Sequence, residues 1–174
     1  KARGAITALG LDAVRAATGV VAVLTAADVP GRNDIAPAFG DEPMLADKTV
    51  MFHGQPVFAV VATSREAARR AARLARIEIA EEPPLITIED AIAANATVLP
   101  DYAFKRGDAE AALDASPHRL RGRLRVGGQE HFYLEGQVAL AVPGEAGQMT
   151  IYASTQDPAE VQHVTARVLG LPDA

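Results

Sequence analysis

No cysteine occurs among the 174 residues, so the chain forms no disulfide, no thiolate zinc site and no cysteine-ligated iron–sulfur cluster of its own. Tryptophan is absent and aromatics make up only 5% of the chain, which leaves alanine, valine and leucine to fill the interior. Such a core is fine-grained, admits close helix–sheet approach and is expected to hold only small cavities. No apolar run reaches the roughly 18–20 residues that span a bilayer, and Lys1–Gly10 lacks the apolar centre of a signal peptide. No membrane partner and a cytoplasmic location are therefore expected. Positive charge is also short: 17 Lys and Arg stand against 22 Asp and Glu, a net charge of −5, without the basic cluster that binds a polyanion. Nucleic acid is not an expected partner. The nucleophile-elbow, phosphate-loop, paired-histidine zinc and dinucleotide glycine patterns are all missing, so no reaction can be named from generic motifs.

What is present describes a folded α/β (α+β) chain. Hydrophobic residues make up 49% and charged residues 22%, spread without long tracts, enough for one ordinary domain or two small ones. Ala5–Leu9 predicts a strand, Leu11–Ala17 a short helix, and the β-branched run Val20–Thr25 a strand covered on both faces, together a strand–helix–strand unit. Ala27–Lys48, broken by Pro30, Gly31, Pro37, Gly40 and Pro43, predicts a long irregular excursion of the kind that forms interfaces. Val50–Phe52 and Pro56–Ala62 flank a turn and suggest a hairpin. Thr63 with Glu66 has the capping-box spacing and opens an alanine-rich helix to about Ala75, packing through Ala67, Ala68, Ala71, Ala72 and Leu74, with its arginines in solvent. Arg76–Ala80 closes this half as a strand.

Glu81-Glu82-Pro83-Pro84 is the expected domain boundary, because paired prolines end a strand and stiffen the connection. Beyond it, Ile86–Ala96 predicts a short strand and a helical turn, and Asp101–Ser116 connecting structure. Arg119–Val126, with arginines on one side and Leu120, Leu124 and Val126 on the other, predicts a strand with one wet face. Gln137–Val142 and Met149–Ala153 predict two more strands, and Asp157-Pro158 starts a helix that Gly170 and Pro172 stop.

Two clusters have the composition of a site. Gly127-Gly128-Gln129-Glu130-His131-Phe132-Tyr133-Leu134-Glu135-Gly136 mixes acids, a base and an amide behind two glycines that permit close backbone approach; taken alone it reads more readily as a hydrogen-bonded Glu130–His131 pair with core aromatics. Ser154-Thr155-Gln156 ends a strand just before a helix N-terminus, where free N–H groups and the helix dipole favour an electron-rich ligand and a neutral amide can donate to it. The plain alternative is that Ser154, Thr155 and Asp157 only cap the helix.

Gly127–Glu135 followed by Ser154-Thr155-Gln156 resembles the large, molybdopterin-binding subunit of xanthine dehydrogenases, in the molybdenum hydroxylase family. Ala2-Arg3-Gly4-Ala5-Ile6-Thr7, Gly19–Thr25, Asp28-Val29-Pro30-Gly31, Asn33-Asp34-Ile35, Gly54-Gln55-Pro56-Val57, Arg106-Gly107-Asp108-Ala109, Pro117-His118-Arg119 and Val168-Leu169-Gly170-Leu171-Pro172 extend the likeness to essentially the whole chain. The resemblance implies an α/β hammerhead domain over residues 1–83 and the start of the molybdopterin-binding domain over 84–174. It implies hydroxylation of hypoxanthine and xanthine to urate with oxygen from water, with electrons passing to NAD through 2Fe–2S clusters and FAD on a small partner subunit or domain, in a dimer of heterodimers. It places Gln156 beside the molybdenum, hydrogen-bonded to an oxygen ligand of the metal, with Gln129, Glu130, His131 and Glu135 as supporting residues and no direct metal ligand or catalytic residue in this segment. The family's substrate-binding glutamate and arginine and its late general-base glutamate lie downstream of Ala174, so the segment is expected to be part of a longer subunit and inactive alone. Two other readings stay open: a non-catalytic assembly module, and a molybdenum hydroxylase acting on aldehydes or other N-heterocycles.

Overall fold

The front of the chain folds around a small aliphatic centre. In the computed structural model, which describes residues 1–38 and 40–173, the first apolar run forms strand β1 (Gly4–Gly10), followed by the single turn α1 (Asp12–Arg15) and strand β2 (Val20–Thr25). A 3₁₀ turn, Ala26–Asp28, is closed by Asp28, whose carboxylate accepts from both the backbone N–H and the hydroxyl of Thr25 at 2.7 Å. The chain then runs irregularly to β3 (Thr49–Val50), β4 (Phe58–Ala62), helix α2 (Arg65–Ala72) and β5 (Arg76–Glu81).

Strand pairing differs from the expected strand–helix–strand unit and hairpin. β1 is the centre of an antiparallel sheet ordered β3-β1-β5, whereas β2 pairs antiparallel with β4 in a separate ribbon. Neighbours in sequence thus go to different sheets: β3, too short to hold a hairpin, joins β1, and β4 is left to complete β2. The ribbon is covered on one side only. Val23 is buried while Val21 and Leu24 stand exposed, so the continuous apolar run of β2 does not mark a strand covered on both faces.

Leu11, Val14, Val23 and Ala71 form the core, with Leu9, Ala17, Val20, Phe58, Val60 and Ala75 packed around it. Val14 is completely enclosed, and burial of a side chain of that size contributes roughly 1.5–3 kcal/mol. Helix α2 meets this core through Ala67 and Ala71, whose methyl groups let helix and ribbon approach closely, while its arginines face solvent. Its cap is Ser64 rather than Thr63, with the Ser64 hydroxyl accepting from the Ala67 N–H at 3.2 Å, so the helix begins at Arg65; it ends at Ala72, and Leu74 beyond it is about half exposed.

The chain divides into two compact units, Lys1–Pro84 with Thr155–Ala174, and Leu85–Ser154. The second contains α3 (Ile88–Ala93), α4 (Ala109–Ala115) and an antiparallel pair, β6 (Ala139–Pro143) with β7 (Met149–Ala153). The predicted strand at Ile86 is instead the approach to α3, capped by Thr87, and the stretch after Arg106 is α4, capped by the Asp108 carboxylate. Arg119–Val126 forms no strand. Its alternation is intact, but no other segment of the unit pairs with it; Leu120, Leu124 and Val126 are exposed accordingly. A strand's backbone groups need a ladder, and residue alternation does not provide one.

The final helix, α5 (Pro158–Leu169), belongs to the first unit. Asp157 caps it, Pro158 occupies its first turn, and Gly170 closes it in the left-handed conformation at φ 68°. Its buried residues are Ala166 and Val168.

Candidate functional site

Strand β7 ends at Ala153, and the side chains of three of the four polar residues between it and α5 can be followed to their partners. The Ser154 hydroxyl donates to the Gly136 carbonyl at 3.0 Å and accepts from the Val138 N–H at 3.3 Å, while the Ser154 N–H donates to the Val138 carbonyl at 3.0 Å. Ser154 therefore closes the β6–β7 pair. Thr155 accepts the Asp157 N–H on its hydroxyl at 3.0 Å, and the Asp157 carboxylate accepts the Glu160 N–H at 3.0 Å. Asp157 caps the helix and Thr155 braces that cap, as the plain reading has it, whereas Ser154 serves the strand pair and not the helix.

The same bonds remove most of the expected anion-binding character of the helix end. The Asp157 and Glu160 N–H groups are taken, Pro158 has none, and among the described residues only the Ala159 N–H is left in the first turn. Two carboxylates in that turn, Asp157 and Glu160, offset the positive end of the dipole. Gln156 stands apart. It is exposed, and its carboxamide makes no side-chain hydrogen bond among the described residues, so a neutral donor remains unspent between the strand and the helix.

Gln129, Glu130, His131 and Glu135 lie in the other unit, in an exposed irregular segment where none makes a side-chain hydrogen bond among the described residues. No Glu130–His131 pair forms, and Phe132, Tyr133 and Leu134 are exposed rather than core. Phe132 adopts a left-handed φ of 52°, uncommon for a bulky residue. A Cβ added at Gly127 or Gly128 would meet nothing within 4 Å, so the close approach expected there is not made. His53 and His118 are solvent-facing, and His163 pairs with Asp173 at 3.0 Å. Beside α5 an open groove of about 580 Å³ is lined by Pro37, Asp157, Glu160, His163 and Arg167 among others; Gln156 is not part of it.

Sequence reasoning missed one polar cluster. Asp34, buried in the long loop, is met by Arg167 of α5 at 3.3 Å and by Arg32 at 3.5 Å. Nothing in the local pattern links Asp34 to a residue 133 positions away.

Residues 1–83 match the family model of the aldehyde oxidase and xanthine dehydrogenase a/b hammerhead domain, and residues 90–174 match that of the molybdopterin cofactor-binding domain. This chain belongs to the molybdenum hydroxylase family. It is 39% identical over 171 residues to a xanthine dehydrogenase of Dictyostelium discoideum, covering 98% of this chain and 13% of that protein. It is 40% identical to a xanthine dehydrogenase/oxidase of Gallus gallus, covering 94% of this chain and 12% of the relative. Among solved structures it resembles the aldehyde oxidoreductase of Desulfovibrio gigas, with a TM-score of 0.79 at 25% identity over 98% of this chain and 21% of that one. The chain thus spans about an eighth of the length of the curated relatives it matches. Helix α5 falls in the segment matched to the cofactor-binding domain yet packs within the compact unit of the hammerhead match.

The donor set fits molybdopterin. Among the described residues no three His, Cys, Asp or Glu side chains gather as a metal cage. Molybdopterin brings sulfur ligands of its own, and the unspent neutral amide of Gln156 is compatible with such a group.

Proposed function

We propose that this chain is the front part of the molybdenum subunit of a xanthine dehydrogenase that converts hypoxanthine and xanthine to urate. Each turnover inserts an oxygen atom from water at a ring C–H and passes the electron pair to NAD, releasing NADH and a proton. The observation that carries the reading is the unspent carboxamide of Gln156, at the position where the family resemblance calls for a donor. Identity of 39–41% to xanthine dehydrogenases over nearly the whole chain supports the purine substrate.

The molybdopterin centre supplies the two-electron redox chemistry when bound. The chain's own contribution is positional. With the centre bound, Gln156 would donate a hydrogen bond to it without adding charge, a positioning role that leaves the redox chemistry to the cofactor. Asp157 and Thr155 hold the helix end beneath it, and Ser154 fixes the end of β7 before it. Gln129, Glu130, His131 and Glu135 are assigned a supporting place with no catalytic step. The hammerhead domain is taken as residues 1–83 and the beginning of the cofactor domain as 84–174. The remaining centres, 2Fe–2S clusters and FAD, reside on a small partner subunit or domain, in a cytoplasmic dimer of heterodimers. No described helix is long and apolar enough to cross a membrane.

A second reading retains the molybdenum hydroxylase and changes the substrate to an aldehyde or another N-heterocycle. It is favoured by 40% identity over 156 residues to aldehyde oxidase 2 of Cavia porcellus, covering 88% of this chain and 11% of that enzyme, and by the likeness to an aldehyde oxidoreductase structure. Molybdenum content of the intact protein, measured by elemental mass spectrometry beside turnover of xanthine and a set of aldehydes, separates the readings. About one molybdenum per chain with urate formation is the expected result. Molybdenum with oxidation of aldehydes alone selects the second reading, and an intact subunit without molybdenum leaves only a role in assembly.

A further inference from the structure

Helix α5 is held at its far end by the long loop of the first unit. Arg167 donates through one nitrogen, Nη1, to both the Asp34 carboxylate at 3.3 Å and the Ala36 carbonyl at 2.7 Å. Asp34 is buried and accepts the Ala36 N–H on its other oxygen at 3.1 Å, which fixes the carboxylate in its turn. The backbone repeats the connection: Gly31 N–H donates to the Val168 carbonyl at 2.9 Å and Arg32 N–H to the Arg167 carbonyl at 3.0 Å. Both carbonyls sit in the last turn, where i+4 donors run out; that of Arg167 also accepts the Gly170 N–H at 3.3 Å. The loop is braced in turn by Asn33, whose amide donates to the Leu45 carbonyl at 2.7 Å and accepts the Leu45 N–H at 3.0 Å.

A helix of 12 residues is a stiff rod about 18 Å long, so fixing its last turn fixes the direction in which its first turn points. Gln156 precedes the Asp157 cap of that first turn. We propose that Asp34 and Arg167 are positioning residues for Gln156: the loop of the hammerhead segment clamps α5 and thereby sets where the Gln156 amide stands. The inference rests on the assignment of Gln156 to the molybdenum. Because one nitrogen makes both contacts, a lysine, whose ammonium ends one bond shorter, keeps a single charged donor facing the same two acceptors, whereas a methionine has no donor at all.

The test uses the intact enzyme, with each variant compared per loaded molybdenum. R167M is expected to lower kcat about tenfold or more with KM little changed, and to shift the electron paramagnetic resonance signal of the partly reduced enzyme. R167K is expected to restore both. In a Q156A background R167M is expected to cause little further loss, because its effect runs through that residue. Should R167M fail to load molybdenum, D34N gives the same reading with the loop backbone bonds kept. A normal signal and normal kcat in R167M or D34N beside an altered Q156A would overturn the clamp alone, as would R167M losses that multiply fully with Q156A. A Q156A enzyme indistinguishable from the parent would overturn the assignment of Gln156 and the clamp's role together.

Discussion

Gly31 and Gly170 meet backbone to backbone where the long loop crosses the end of α5: a Cβ on Gly31 would stand 2.4 Å from the Gly170 nitrogen and 2.2 Å from the Arg167 carbonyl oxygen. Contacts that close involve main chain on both sides, so no rotamer change relieves them. G31A is expected to cost roughly 1–3 kcal/mol, as overpacking does, and to raise hydrogen exchange in residues 166–170. G122A, where an added Cβ meets nothing within 4 Å, is the control and should stay within about 0.5 kcal/mol of the parent.

Removal of the α2 cap tests the account of the first unit's core. Ser64 satisfies the Ala67 N–H, and Ala67 and Ala71 are the residues by which α2 packs. S64A should destabilise the helix by about 1 kcal/mol, seen as an approximately fivefold rise in exchange of the α2 amides. T63A, at the position of the expected capping box, should leave those amides unchanged.

The Asp34 cluster also gives a pH dependence. Burial pushes the Asp34 pKa up, but hydrogen bonds from the Ala36 and Glu42 backbone amides and the charges of Arg32 and Arg167 outweigh it and hold it below the ordinary aspartate value. A folded pKa below the unfolded one means the stabilisation is complete above about pH 4 and is lost as pH falls through the lowered value. Asp28, held low by Thr25, and Glu81, held low by Lys1, titrate in the same direction. Local exchange isolates Asp34: residues 31–36 and 166–170 should keep their protection down to about pH 4 and lose it progressively below that, and D34N should already lack that protection at neutral pH and show little further change.

Much of this architecture is legible in the residues because it is local. β1, β2, β4 and β5 follow from short apolar runs, and α5 follows from Asp157-Pro158 at one end and Gly170 at the other. What escapes is pairing. The chain between Val50 and Ala62 contains the residues of a hairpin, yet β3 and β4 join different sheets because β1 and β2 are already waiting for partners. Arg119–Val126 alternates as a strand does and finds nothing to pair with, while α4 goes unread because its Asp108 cap falls inside what looks like a turn. At the site, Gln156 is visible from its place between strand and helix, and the structure adds that its polar neighbours are spent. The Asp34–Arg167 contact is invisible until the chain has folded.

The most direct measurement is turnover of the intact enzyme carrying Q156A, compared with the parent at equal molybdenum content. A lost hydrogen bond to a charged ligand is worth roughly 1.5–3 kcal/mol, so kcat is expected to fall about tenfold or more. Undiminished turnover at full molybdenum loading would contradict the role of Gln156 at the metal.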